Sequence, residues 1–144
     1  LMWATNLSMA LAQFLKPWID QLFRRSWRWQ RFFDTGGMPS SHTSLVTTLT
    51  LGDGAVEGTS TTVFAVTLIF SMYFVFEATG LRQEVGQQAR ILNEMIDELL
   101  SHHAVRPDED RLRELVGHTW AEVLGGGLVG VVVFLLLRGY ITGT

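Results

Sequence analysis

The stretch "WAEVLGGGLVGVVVFLLLRGYITG", residues 120–143, decides the fold. No charged residue falls between Val123 and Leu137, and a membrane span needs about 20 largely apolar residues. A second stretch, "TTVFAVTLIFSMYFVFEATG" (61–80), meets the same condition. A third, "LMWATNLSMALAQFLKPWIDQLF" (1–23), nearly does, interrupted by Gln13 and Lys16. The fourth, "SLVTTLTLGDGAVEG" (44–58), is more polar and spans a bilayer only if the others shelter it. The expected fold is an all-α integral membrane bundle of about four transmembrane helices, forming a single domain over 1–144. Asp53 and Glu57, at the far end of the weakest segment, read as loop residues.

Composition agrees. Hydrophobic residues make up 47% and charged residues 17%, against about 25% charged in soluble domains. With no cysteine, disulfides and thiolate metal sites are excluded. A net charge of -3 is too small to imply nucleic acid. No basic segment or A-x-A-like site marks a secretory signal.

The arginines set a topology. Lys16, Arg24, Arg25, Arg28 and Arg31 lie at or after the end of the first segment, and Arg82, Arg90, Arg106, Arg111 and Arg113 lie between the last two. The link between the middle segments has no basic residue. With four spans both arginine-bearing loops share one face, which the positive-inside rule assigns to the cytoplasm or its equivalent, with both termini outside. Within 81–118, Leu81, Val85, Ala89, Leu92, Ile96 and Leu99 recur at helical spacing. That pattern predicts an amphipathic helix outside the bilayer core, beginning after a Thr79-Gly80 break and ending at a turn near Pro107. A short helix, "EDRLRELV", follows.

Ionisable groups within or bordering spans are costly and mark function. Here they are Lys16, His42, Glu77, Arg82, His118 and Glu122, all toward the arginine-rich end of the expected bundle. In "DTGGMPSSHTS" (34–44), Gly36 and Gly37 allow close backbone approach, Pro39 suits the start of a helix, and Ser40 and Ser41 can cap it. A helix N-terminus attracts anions; the alternative is a plain cap with His42 at the interface. In "GHTWAEV", His118 and Glu122 are four apart and share a face if helical. The carboxylate then orients the imidazole, or the two form an ordinary ion pair. Arg82 reads as a phosphate ligand held by Glu77, or as a snorkelling residue after a helix end. The run 24–33, with Trp27, Trp29, Phe32 and Phe33, reads as an anchor for anionic lipid. His102 and His103 read as solvated.

In order along the chain, "AQFLK", "GGMPSSH", "EATGLRQEVGQQA" and "LVGHTWAEVLGGGLVG" resemble the divergent branch of the type-2 phosphatidic acid phosphatase superfamily, related to acid phosphatases and vanadium-dependent haloperoxidases. The resemblance implies a membrane lipid-phosphate phosphatase of the bacterial inner membrane or a plastid membrane. It implies His118 as nucleophile, His42 as acid and base, and Glu122 as the carboxylate that orients His118. Lys16, Ser40, Ser41, Arg82 and Arg113 would bind the substrate phosphate, with Glu77 and Arg24 supporting. The chain departs from the wider pattern at three points: Ser41 replaces the usual Gly, Arg24 lies one position beyond the expected arginine, and Arg113 and Arg111 flank the position expected before His118. No cofactor is required, though Glu77 and Glu122 beside a phosphate offer Mg²⁺ or Ca²⁺ a place. Vanadate is expected to inhibit. Partners are membrane lipids and a lipid phosphate, and the glycines of 125–130 suit packing in the bundle or in a homodimer. The rival reading is a non-catalytic membrane protein that binds anionic lipid, or carries an ion, through the same pocket.

Overall fold

The computed structural model describes residues 1–24, 37–100 and 119–143, without the side chains of 23, 24, 78, 81–83, 99 and 100. The described residues form four helices: α1 (Met2–Arg24), α2 (Ser41–Val56), α3 (Thr62–Leu100) and α4 (Trp120–Thr142). The chain is all-α among those residues. α2 sits at the centre, packed against α1, α3 and α4, and α1 also meets α4.

Individual contacts fix the directions. Ser8 of α1 bonds to Ser44 of α2, while Leu1 lies against Gly52, so α1 runs antiparallel to α2. Gly126 of α4 lies against Ser40, Gly130 against Ser44, and Ile141 against Gly52, so α4 runs parallel to α2. Phe64 meets Gly54 and Phe74 meets His42, so α3 runs antiparallel. This alternation brings the start of α2 and the start of α4 to one end of the bundle, where α1 finishes.

The interior is polar and small, and the exterior is apolar. The largest fully buried side chains are Lys16, Thr48, Pro17, Pro39, Ser8, Ser40, Ser41 and Ser44. By contrast Leu128 is 67% exposed and Leu136 75%. Water would drive these the other way; lipid does not, and there close approach and interhelical hydrogen bonds hold helices together. Ala4, Ser8, Ala12 and Lys16 make the buried stripe of α1 at four-residue spacing. Ser44 and Thr48 answer from α2, and Gly126 and Gly130 from α4. Thr48 Oγ1 lies 2.8 Å from Ser8 Oγ, 3.0 Å from the Ser44 carbonyl and 3.1 Å from the Gly130 carbonyl. One hydroxyl therefore ties three helices. Thr48→Val keeps the shape and removes it, and is expected to cost about 1–2 kcal/mol, read as a lower midpoint of unfolding in mixed micelles. No change would show the cluster to be incidental.

α4, with no charge in its central part, is long and apolar enough to cross a membrane, while Thr62–Glu77 forms a shorter apolar stretch. α1 and α2 lack that apolarity, since they carry their polar residues inward.

Two expectations need correction. α3 does not break at Thr79-Gly80: it runs without interruption to Leu100, so residues 81–100 extend the third helix rather than start a separate one. A single glycine costs a helix only about 1 kcal/mol, and Thr79 keeps its hydroxyl inside the helix, 3.1 Å from the Val75 carbonyl and 3.0 Å from that of Phe76. Asp53 is not in a loop: it occupies the last turn of α2 and is buried, while Glu57 is the exposed C-cap. Pro39 stands just before the start of α2, with Ser40 as the N-cap and Ser41 the first helical residue, as the motif leads one to expect.

Candidate active site at the joined starts of α2 and α4

The local chemistry of the start of α2 follows from its residues. Gly37 takes φ 100°, a conformation open to glycine at little cost, and Pro39 and Ser40 are fully buried behind it. Ser40 Oγ accepts from the Thr43 N–H at 3.2 Å and from the Thr43 hydroxyl at 3.0 Å. This is an N-cap bond, typically worth about 1 kcal/mol. The Ser40 N–H donates across the interface to the Glu122 carbonyl at 2.9 Å. Ser40 thus commits its N–H and its hydroxyl oxygen to structure. Ser41 is buried in the first turn, where N–H groups point along the axis out of the helix.

α4 begins with a capping box. Thr119 Oγ1 accepts from the Glu122 N–H at 3.4 Å, and a Glu122 carboxylate oxygen accepts from the Thr119 N–H at 3.3 Å. The helix starts at Trp120, so Glu122 stands at its third position, turned back to the cap. The expected pairing of His118 with Glu122 on one helix face involves a residue that the structure does not describe: His118 lies outside the described residues.

The other candidates fall as follows. Lys16 is 1% exposed, on the face of α1 that carries Ser8 and Ala12, and the antiparallel register carries it to the end where α2 starts. A buried ammonium needs partners, and Lys16 is engaged within the protein. His42 is half-buried on the side of α2 facing α3, its ring centroid 6.0 Å from that of Phe74 at an interplanar angle of 43°. Glu77 is exposed on α3, one turn beyond Phe74. Arg82 lies further along the same helix and Arg24 closes α1; their side chains are not among those described. Arg113, Arg111, residues 25–33 of the anchor run, His102, His103, the turn at Pro107 and the short helix after it lie outside the described residues. The structure therefore brings Lys16, Ser40, Ser41, His42 and Glu122 to one end of the bundle, with Glu77 on the rim.

The glycines of 125–130, expected to pack in the bundle or in a homodimer, meet α2, a partner that sequence reading did not identify. Gly126 and Gly130 let α4 lie against the α2 backbone: a Cβ on Gly126 would sit 2.3 Å from the Ser40 carbonyl oxygen, and one on Gly130 2.7 Å from that of Ser44. The signal was present as small residues four apart on both helices, Ser40, Ser44 and Thr48 against Gly126 and Gly130.

No solved structure matches the chain. The uncharacterized membrane protein YuiD of Bacillus subtilis (strain 168) is 34% identical over 139 residues, covering 90% of this chain and 88% of the relative. Residues 1–133, which hold α1, α2, α3 and the motifs around Lys16, His42 and Glu122, match the Divergent PAP2 family, and the chain belongs to that family.

Proposed function

We propose that the chain is a membrane phosphatase that hydrolyses the phosphomonoester, or diphosphate, of a lipid through a phosphohistidine. The observation that carries this reading is the 2.9 Å bond from the Ser40 N–H to the Glu122 carbonyl. It joins the Pro-Ser-Ser-His motif to the helix that follows His118, with a buried lysine at the same end. The family membership and the apolar exterior support the reading. So does the up-and-down order of the helices, which suits four membrane passages with the arginine-rich connections on the cytoplasmic side.

In this mechanism the neutral His118 imidazole attacks phosphorus, and a P–N bond forms as the P–O ester bond breaks. His42 gives a proton to the departing alkoxide. Water then attacks phosphorus, His42 takes its proton, the P–N bond breaks, and inorganic phosphate leaves. Lys16, Arg82 and Arg113 offset charge on the phosphoryl oxygens, together with first-turn N–H groups of α2. A site at the membrane face lets the acyl or prenyl tail stay in lipid while its headgroup enters. The chemistry needs no metal, because side chains carry the positive charge.

Glu122→Gln separates capping from catalysis. Glutamine serves a capping box as glutamate does, so stability is expected to hold. A carboxylate that orients a catalytic histidine is worth on the order of 10²–10⁴-fold in rate, so turnover is expected to fall by that range. Unchanged turnover would confine Glu122 to its cap. The reading as a whole is tested with the purified chain in micelles, offered phosphatidic acid, phosphatidylglycerophosphate and polyprenyl phosphates and diphosphates. Phosphate release blocked by vanadate is the expected result, and a parallel assay in EDTA reads any dependence on Mg²⁺ or Ca²⁺. Binding of these lipids without release from any of them would leave a lipid-binding protein in place of an enzyme.

A further inference from the structure

We infer that Asp53 forms a binding site for a small monovalent cation of the sodium class, at the opposite end of α2 from the phosphate site. Asp53 is 6% exposed, and its Oδ2 is buried with no hydrogen-bond partner among the described residues. An ionised carboxylate taken out of water without a partner costs several kcal/mol. The surroundings add to the negative potential rather than relieve it. Asp53 stands in the last turn of α2, which has no basic residue and whose C-cap is Glu57. The unsatisfied carbonyls there carry the negative end of the helix dipole. Arg138, the basic residue of α4, is on its exposed surface.

Hydroxyl and carbonyl oxygens occur on the same face of α2 and in the turn that follows it. Helical spacing puts Asp53 on the face that holds Val46 and Thr50, and Thr50 Oγ1 lies 2.9 Å from Ser71 Oγ of α3. Residues 57–61 close over the end of α2. The Thr59 methyl comes within 3.5 Å of the Cβ position of Gly54, and the Thr61 hydroxyl donates to the Gly58 carbonyl at 2.9 Å. Carboxylate, carbonyl and hydroxyl oxygens select a hard cation. One carboxylate balances one charge, which favours a monovalent ion over Mg²⁺ or Ca²⁺, whose sites gather several carboxylates or waters. Glu57, Thr59 and Ser60 are exposed, so solvent reaches the turn from outside the bundle. Asp53 lies twelve residues along α2 from Ser41, about 18 Å at 1.5 Å per residue. The inference therefore stands whether or not the far end hydrolyses phosphate.

The experiment is thermal unfolding of the whole chain in micelles at constant ionic strength, with NaCl exchanged stepwise for N-methyl-D-glucamine chloride. A saturable rise in Tm with Na⁺ is expected, about 4 °C at tenfold excess over the dissociation constant, with no such rise in Asp53→Asn. Direct binding of radioactive sodium to the unmodified chain covers the case in which Asp53→Asn does not fold. An equal Na⁺ response in both proteins, or absence of sodium binding to the unmodified chain, overturns the inference. So does a Tm that follows pH but ignores Na⁺, which would give the position to a proton.

Discussion

With alanine at both Gly126 and Gly130, the bundle is expected to lose about 2–4 kcal/mol of stability, and phosphate release is expected to fall with it. Each new methyl meets backbone as well as side chain. The added Cβ would lie 2.3 Å from the Ser40 carbonyl oxygen and 3.0 Å from Thr43 Cβ at residue 126, and 2.7 Å from the Ser44 carbonyl oxygen and 2.8 Å from Thr47 Cβ at residue 130. A flexible side chain can swing away from such a contact, whereas a helix backbone must move as a body. Overpacking of this kind costs about 1–3 kcal/mol per site, against a gain of up to about 1 kcal/mol from the better helix propensity of alanine. The shift also pulls the Glu122 carbonyl from the Ser40 N–H, the bond that joins the two motifs. Gly127→Ala is the control, because its Cβ would meet only Thr47 Oγ1, at 3.9 Å. That variant is expected to be neutral or slightly stabilised. Unfolding midpoints in mixed micelles, measured beside phosphate release, decide the matter. Equal behaviour of Gly127→Ala and the double variant would sink the packing argument.

The contrast shows which features a sequence displays openly. Apolar length was legible at 120–143 because nothing competes with it: the run between Val123 and Leu137 holds no charge and α4 occupies Trp120–Thr142. The end of α3 was not legible, because Thr79-Gly80 carries the composition of a terminator while a single glycine costs a helix only about 1 kcal/mol. Asp53 was misread for a related reason. A carboxylate between two glycines looks like a turn, and only burial against the neighbouring helices keeps the last turn of α2 wound. The site was legible in parts: Lys16, Ser41, His42 and Glu122 come to one end, as the alternating helices require. What the residues could not reveal was the division of labour at Ser40 and Glu122. Polar groups at a helix start serve the backbone first, since four N–H groups there lack intrahelical acceptors. Both residues meet that need in the structure, and for Glu122 any chemistry comes in addition to its cap.

Two histidines of unequal role should give unlike kinetics. In the proposed mechanism His118→Ala removes the atom to which phosphorus bonds, so turnover is expected to fall by at least about 10³-fold, with no labelled protein after exposure to a ³²P-labelled substrate. His42→Ala removes only the proton carrier, a loss of about 10²–10⁴-fold on a lipid phosphate. The difference shows most clearly with a nitrophenyl phosphate ester. Nitrophenolate departs without a proton, so the first step runs in His42→Ala, while hydrolysis of the P–N bond still lacks its base. A burst of nitrophenol followed by a stall is expected, with label held on the protein in alkali-stable, acid-labile form, as befits a phosphoramidate. Label retained by His118→Ala would assign the nucleophile to another residue. A steady rate without burst in His42→Ala would remove His42 from the second step and leave it the acid alone.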